Sequence, residues 1–166
     1  MDHTRIRRRI RALLLVFVAG LVLSGLTAFP LEGELRIACS LLGIDPSVPP
    51  GDYVGFKYWV ATVAFGLHDT YLKYPFIAYG TDWLAFAHLV IAIAFIGPIR
   101  DPIRNAWVVT FGILACIAVI PLALIAGPLR GIPFYWRLID CSFGVVGAIP
   151  LCLARRDISR LEHSTA

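Results

Sequence analysis

The chain has 166 residues, 58% of them hydrophobic and 16% charged, with a formal net charge of +4 and a mean hydropathy of +0.77. A soluble domain of this length has too high a ratio of area to volume to hide so much apolar surface. A water-soluble fold is therefore excluded, and a single all-α domain in lipid is expected.

The positive charge does not point to nucleic acid, because the arginines flank apolar segments and form no separate basic domain. Four cysteines (Cys39, Cys116, Cys141, Cys152) show no C-x-x-C spacing, so neither zinc nor a disulfide framework is signalled. If Cys39 and Cys141 both lie near the outer face, a bridge between them is one alternative; simple packing is the other.

In chain order, IRRRIR precedes a first apolar run over 12–29. That run is longer than the about 7 to 15 residues of a signal peptide's apolar region, and Leu26 stands where a cleavage site wants a small residue. A retained anchor is expected. Three further crossings are expected over 83–99, 106–127 and 138–154, the first and last of these short against the about 20 residues that a crossing takes. Short spans can be met by local thinning of the bilayer or by flanking residues that reach the interface.

Between the first two crossings lies a long outer segment, 30–82, too long for a featureless loop. LEGELRIACSLLGI (31–44) carries Leu31, Leu35, Ala38, Leu41 and Leu42 at helical spacing, which predicts a short amphipathic surface helix. DPSVPPGD (45–52) reads as a turn. The apolar run 59–67 is too short to cross; an interfacial or partly re-entrant helix is expected there, with a second short one before Gly80.

The basic residues give an orientation. With the amino terminus inside, Arg5, Arg7, Arg8, Arg9, Arg11, Arg100, Arg104, Arg155, Arg156 and Arg160 lie on the inner side, ten of the fifteen Lys and Arg residues. All six tyrosines and Trp59, Trp83 and Trp136 then fall at the outer side, where amphipathic rings settle at headgroup level, while Trp107 marks the inner boundary. Four crossings with both ends inside are expected.

Helices in lipid associate through close backbone approach, so small residues mark contact faces. Gly20, Ser24 and Ala28 form one such stripe, Gly144 and Ala148 another, and Ala85, His88 and Ala92 a third. Pro121 and Pro150 are expected to kink the last two crossings.

An ionisable side chain at membrane depth costs several kcal/mol unless it finds a partner or a wet cavity, about 2.5 to 3.5 on insertion scales. His88, Asp82, Arg137 and Asp140 all fall in the outer half. If the second and fourth crossings are neighbours, these four can converge in one ligand pocket. Each also has a plain structural reading. Asp82 would cap its helix; Asp140 would pair with Arg137; His88 would bond a backbone carbonyl across a tight interface. A haem held between His68 and His88, or a metal at His68 and Asp69, is a further alternative that the spacing supports weakly. Arg100, Asp101 and Arg104 read as a topology anchor, or as a contact with lipid phosphate. No nucleophile–base constellation, Walker loop or dinucleotide fingerprint is present.

The strings AYGTDWLAFAH (78–88), FIGPIRDPIRN (95–105) and GIPFYWRLIDCSFG (131–144) resemble a group of small bacterial inner-membrane proteins. The resemblance covers most of the chain. It implies four helices in a bacterial cell membrane and brings no activity, cofactor or site residues. Three function classes stay open: binding of a lipid-like or small apolar ligand in an outer-leaflet pocket, a membrane enzyme or redox subunit using quinone or haem, and a small transporter or assembly protein. Membrane lipids are the expected partners, with a homo-oligomer or another membrane protein as the alternative; no cofactor is called for by the residues themselves.

Overall fold

The computed structural model describes residues 3–165, and among these all regular structure is helical. The helices are α1 (His3–Ala28), α2 (Leu31–Leu42), α3 (Gly55–Lys73), α4 (Ala78–Ala94), α5 (Ile96–Arg100), α6 (Ala106–Leu129) and α7 (Phe134–Thr165), with a 3-10 turn at Pro75–Ile77 leading into α4. Four runs are long and apolar enough to cross a membrane: His3–Ala28, Pro75–Arg100, Ala106–Leu129 and Phe134–Ser164. Their apolar windows are only 17 to 22% buried by protein. Helices this apolar and this bare need lipid around them, so the protein is an all-α, multi-pass membrane protein.

Two of the crossings expected to be short are not. Hydropathy falls where charges begin, but helical hydrogen bonding continues past that point. Pro75, in the first turn of the 3-10 element, has the backbone angle that a helix start needs and no N–H to lose. The second run therefore begins well before Trp83, and the fourth continues through the basic tail to Thr165. Pro121, Pro128 and Pro150 lie inside α6 and α7 without ending them.

The chain divides into two compact units, one of residues 1–21 with 90–166 and one of 22–89. In the first, Ile10 and Leu14 of α1, Phe95, Val109 of α6, and Leu151, Ala154 and Ile158 of α7 are wholly buried together. The Phe17 and Phe95 rings meet at 4.8 Å. Gly112 makes room for them: a Cβ there would come within 2.7 Å of Phe95 Cζ and 2.9 Å of Leu151 Cδ1. At the polar end of this core, Asp157 is 3% exposed and is the one buried charged residue among those described. Arg9 Nε lies 3.3 Å from its Oδ2 and Arg160 Nη1 3.4 Å from its Oδ1. The Arg9 contact is close but not aligned as a hydrogen bond. The start of α1 and the end of α7 are thus tied together by packing and by charge.

In the second unit, α2 packs on α3 through Cys39, Ile44, Val60, Ala61 and Ala64. Gly43 ends α2 in the left-handed region (φ 65°), where glycine carries no Cβ penalty. Burial pushes the Cys39 thiol up from its ordinary pKa. All four cysteines are free, and Cys39 and Cys141 belong to different units. Helix α3 spans Gly55–Lys73, beginning earlier and running longer than the apolar run 59–67 suggested, because polar residues at both ends join the helix.

The small-residue stripe on α1 needs correcting. Gly20 has open space where a Cβ would stand, and Ser24 is exposed. The buried position is Gly25, where a Cβ would lie 3.0 Å from the Ala85 carbonyl oxygen and 3.1 Å from His88 Cβ. The face of α4 carrying Ala85 and His88 is therefore turned to α1, as its own pattern suggests, but it meets a neighbouring register.

Candidate functional site

Helices α6 and α7 are joined by residues 130–133. Arg130 N and Ile132 N bond back to Ala126 O at 3.1 Å and Gly127 O at 2.9 Å. Gly131 takes φ 71°, and Pro133 precedes the first turn of α7. So short a connection makes the two helices antiparallel neighbours, and two glycines let their backbones close. A Cβ on Gly144 would collide with the Cys116 carbonyl oxygen, and one on Gly127 with Cγ and Cδ of Arg137. The small-residue reading of Gly144 thus holds. Gly127 was not singled out by the sequence, where it appears only as one glycine beside a proline.

Beside this contact lies an open hollow of about 280 Å³. Its apolar wall is Val119, Leu122, Ala123 and Ala126 of α6 with Ile132 of the connection; Arg130 and Asp140 are its charged members. Asp140 stands six residues into α7, roughly 9 Å along the axis from its first residue at 1.5 Å per residue. It forms no ion pair or hydrogen bond among the described residues, and neither does the Arg130 side chain.

The expected pairing of Asp140 with Arg137 is absent. Helical side chains lean toward the helix N-terminus, so an arginine placed three residues before an aspartate extends away from it. Arg137 follows that rule. Its stem lies in the notch left by Gly127, and its guanidinium carbon stands 5.1 Å from the Phe134 ring centroid, a cation–π contact. Its Nε is buried without an acceptor.

The other two expected site residues belong to the 22–89 unit. His88 Nδ1 lies 2.7 Å from the carbonyl oxygen of Leu84, one turn earlier in its own helix. A carbonyl only accepts, so Nδ1 is the donor of this bond. The plain reading of His88 is therefore met within α4 and not across an interface. Asp82 does not cap α4, which begins at Ala78; it lies in the second turn. It lines a separate open hollow with Phe29, Tyr79, Trp83 and Phe86. The rings of Tyr79 and Trp83, and of Trp83 and Phe86, meet edge to face at 6.0 Å. Asp82 and His88 in one unit, and Arg137 and Asp140 in the other, are not gathered within either unit.

His68 has a partner that the sequence did not suggest. Its Nδ1 lies 2.9 Å from Glu32 Oε1, tying α3 to α2, with Arg36 Nη2 at 3.4 Å from the same oxygen. The His68 hydrogen bond first, and Arg36 beside it, hold the Glu32 carboxyl below its ordinary pKa. Both side chains are about one third exposed, so solvent screening leaves the link a small contribution to stability. Asp69 instead pairs with Lys73 at 2.8 Å. The proposed His68–Asp69 metal dyad is thereby split between two different partners. Among the described residues no three metal-ligating side chains come together.

Comparison of the chain with protein-family models, with characterised proteins and with solved structures finds no match to any of them.

Proposed function

We propose that this membrane protein binds a lipid-like amphiphile in the α6–α7 hollow, and that the hollow opens toward the outer leaflet of a bacterial inner membrane. The observation that carries this reading is an unpaired Asp140 in a wall otherwise made of Val119, Leu122, Ala123, Ala126, Gly127 and Ile132, with Arg130 at its end. An ionisable group at such a depth calls for a partner, and a concave apolar wall with a few polar groups is what holds a small apolar ligand. Asp140 is kept from the earlier four-residue pocket. Asp82 and His88 are not required, and Arg137 serves to shape the neighbouring wall.

The orientation rests on the arginines. Arg5, Arg7, Arg8, Arg100 and Arg156 join Arg9 and Arg160 at the end where α1 starts and α7 finishes, and that end faces the cytoplasm under the positive-inside rule. Reporter fusions to both termini should be active only in the cytoplasm; activity of either fusion outside the cell overturns this orientation.

The binding proposal is tested by native mass spectrometry of protein purified in mild detergent. Wild type should retain lipid that Ala126→Trp, which fills the hollow with an indole, loses at unchanged thermal stability. An equal lipid complement in the two proteins overturns the proposal.

A further inference from the structure

Two charged side chains of opposite sign line one apolar hollow and do not pair with each other: Arg130 at the end of α6 and Asp140 in the second turn of α7. Asp140, inside an apolar crossing, needs a counter-charge there, while Arg130 stands exposed just past the end of α6; neither finds an ionic partner among the described residues. A ligand with only an anionic group would satisfy Arg130 and be repelled by Asp140. One with only a cation would do the reverse. From this charge complementarity, and resting on the binding reading above, we infer that the occupant is a zwitterionic phospholipid whose headgroup carries a primary ammonium. Its phosphate faces the Arg130 guanidinium, its ammonium faces the Asp140 carboxylate, and its acyl chains lie along Leu122, Ala123 and Ala126.

The chemistry separates this headgroup from its relatives. A guanidinium donates two parallel N–H bonds to a phosphate, and a carboxylate accepts charge-assisted bonds from an ammonium that has N–H groups to give. A choline headgroup has the same charges but no N–H, so Asp140 can attract it and cannot hydrogen-bond it. A glycerol headgroup carries no cation at all, so its hydroxyls can donate to Asp140 but bring it no counter-charge. The Arg137 Nε, buried without an acceptor while its stem lies on Gly127 of the same wall, adds positive charge on the phosphate side.

The test loads the full-length protein with equimolar phosphatidylethanolamine, phosphatidylcholine and phosphatidylglycerol in mixed micelles and reads the bound species by native mass spectrometry. Wild type is expected to retain the ethanolamine lipid about tenfold over each of the others, the size of one charge-assisted hydrogen bond. Asp140→Leu should remove that preference while still binding phospholipid, Asp140→Glu should keep part of it, and Arg130→Gln should weaken all three lipids. Wild type binding the three equally, with Ala126→Trp excluding them all, overturns the headgroup assignment and leaves the lipid-binding reading standing. Wild type that binds none of them above Ala126→Trp overturns both. An Asp140→Leu protein that keeps the wild-type preference also overturns the assignment.

Discussion

Gly144→Ala is expected to destabilise the protein by about 2 to 3 kcal/mol, at the upper end of what inserting one methyl group into a packed interface costs. The reason is what the new Cβ meets. At Gly144 it is the carbonyl oxygen of Cys116, part of the α6 backbone, with Val119 Cβ at 3.4 Å behind it. A side chain can rotate out of the way. A helical carbonyl cannot, so α6 and α7 must part over several turns, and the contacts of Phe95 and Leu151 at Gly112 loosen with them. Gly127→Ala meets only the flexible stem of Arg137 and should cost less. Gly20→Ala meets nothing within 4 Å and should stay within about 0.5 kcal/mol of wild type. Thermal unfolding in detergent, or a steric-trapping measurement in bicelles, ranks the three. Equal stability of Gly144→Ala and Gly20→Ala would show that the α6–α7 contact is not as close as described.

The second large effect is at the other end of the same unit. Removing both arginines from Asp157, as Arg9→Gln with Arg160→Gln, should cost about 3 kcal/mol, because a carboxylate left buried without compensation is what makes broken buried pairs expensive. Its side chain is 4% exposed, against 55% for Arg9 and 44% for Arg160. That asymmetry orders the variants. Either single substitution leaves Asp157 one partner and should cost about 1 kcal/mol. Asp157→Asn leaves two arginines that water already reaches, and should likewise cost about 1 kcal/mol. The double variant should therefore exceed the sum of its singles, a coupling that a thermodynamic cycle on unfolding free energies reads directly. Strict additivity would mean that the two arginines do not share Asp157 as a common partner.

Much of the architecture could be read from residues one at a time. Whether a segment prefers hydrocarbon is a sum over its side chains, so the four apolar runs identify the crossings without reference to any neighbour. The ends of the crossings were less legible. Hydropathy marks where the bilayer stops, while Pro75 and the polar tail after Ala154 govern where helical hydrogen bonds stop, and these are different boundaries.

The candidate site was the least legible part. Gly20 and Gly25 are the same residue type in the same greasy helix, and only the position of the Ala85 carbonyl distinguishes the exposed one from the buried one. Arg137 and Asp140 have the spacing of an ion pair, yet the lean of helical side chains and the notch at Gly127 draw the arginine the other way. Glu32 and His68 are far apart in sequence, and so are Arg9 and Asp157; no local pattern marks any of them.

The sequence by itself determined the medium and the number of crossings, because these follow from transfer free energy summed along the chain. Tertiary structure alone decided which glycines are notches, which charges are paired and which are left open to a ligand. Those outcomes depend on where a second helix places its carbonyls and side chains, and that information is absent from either helix taken singly.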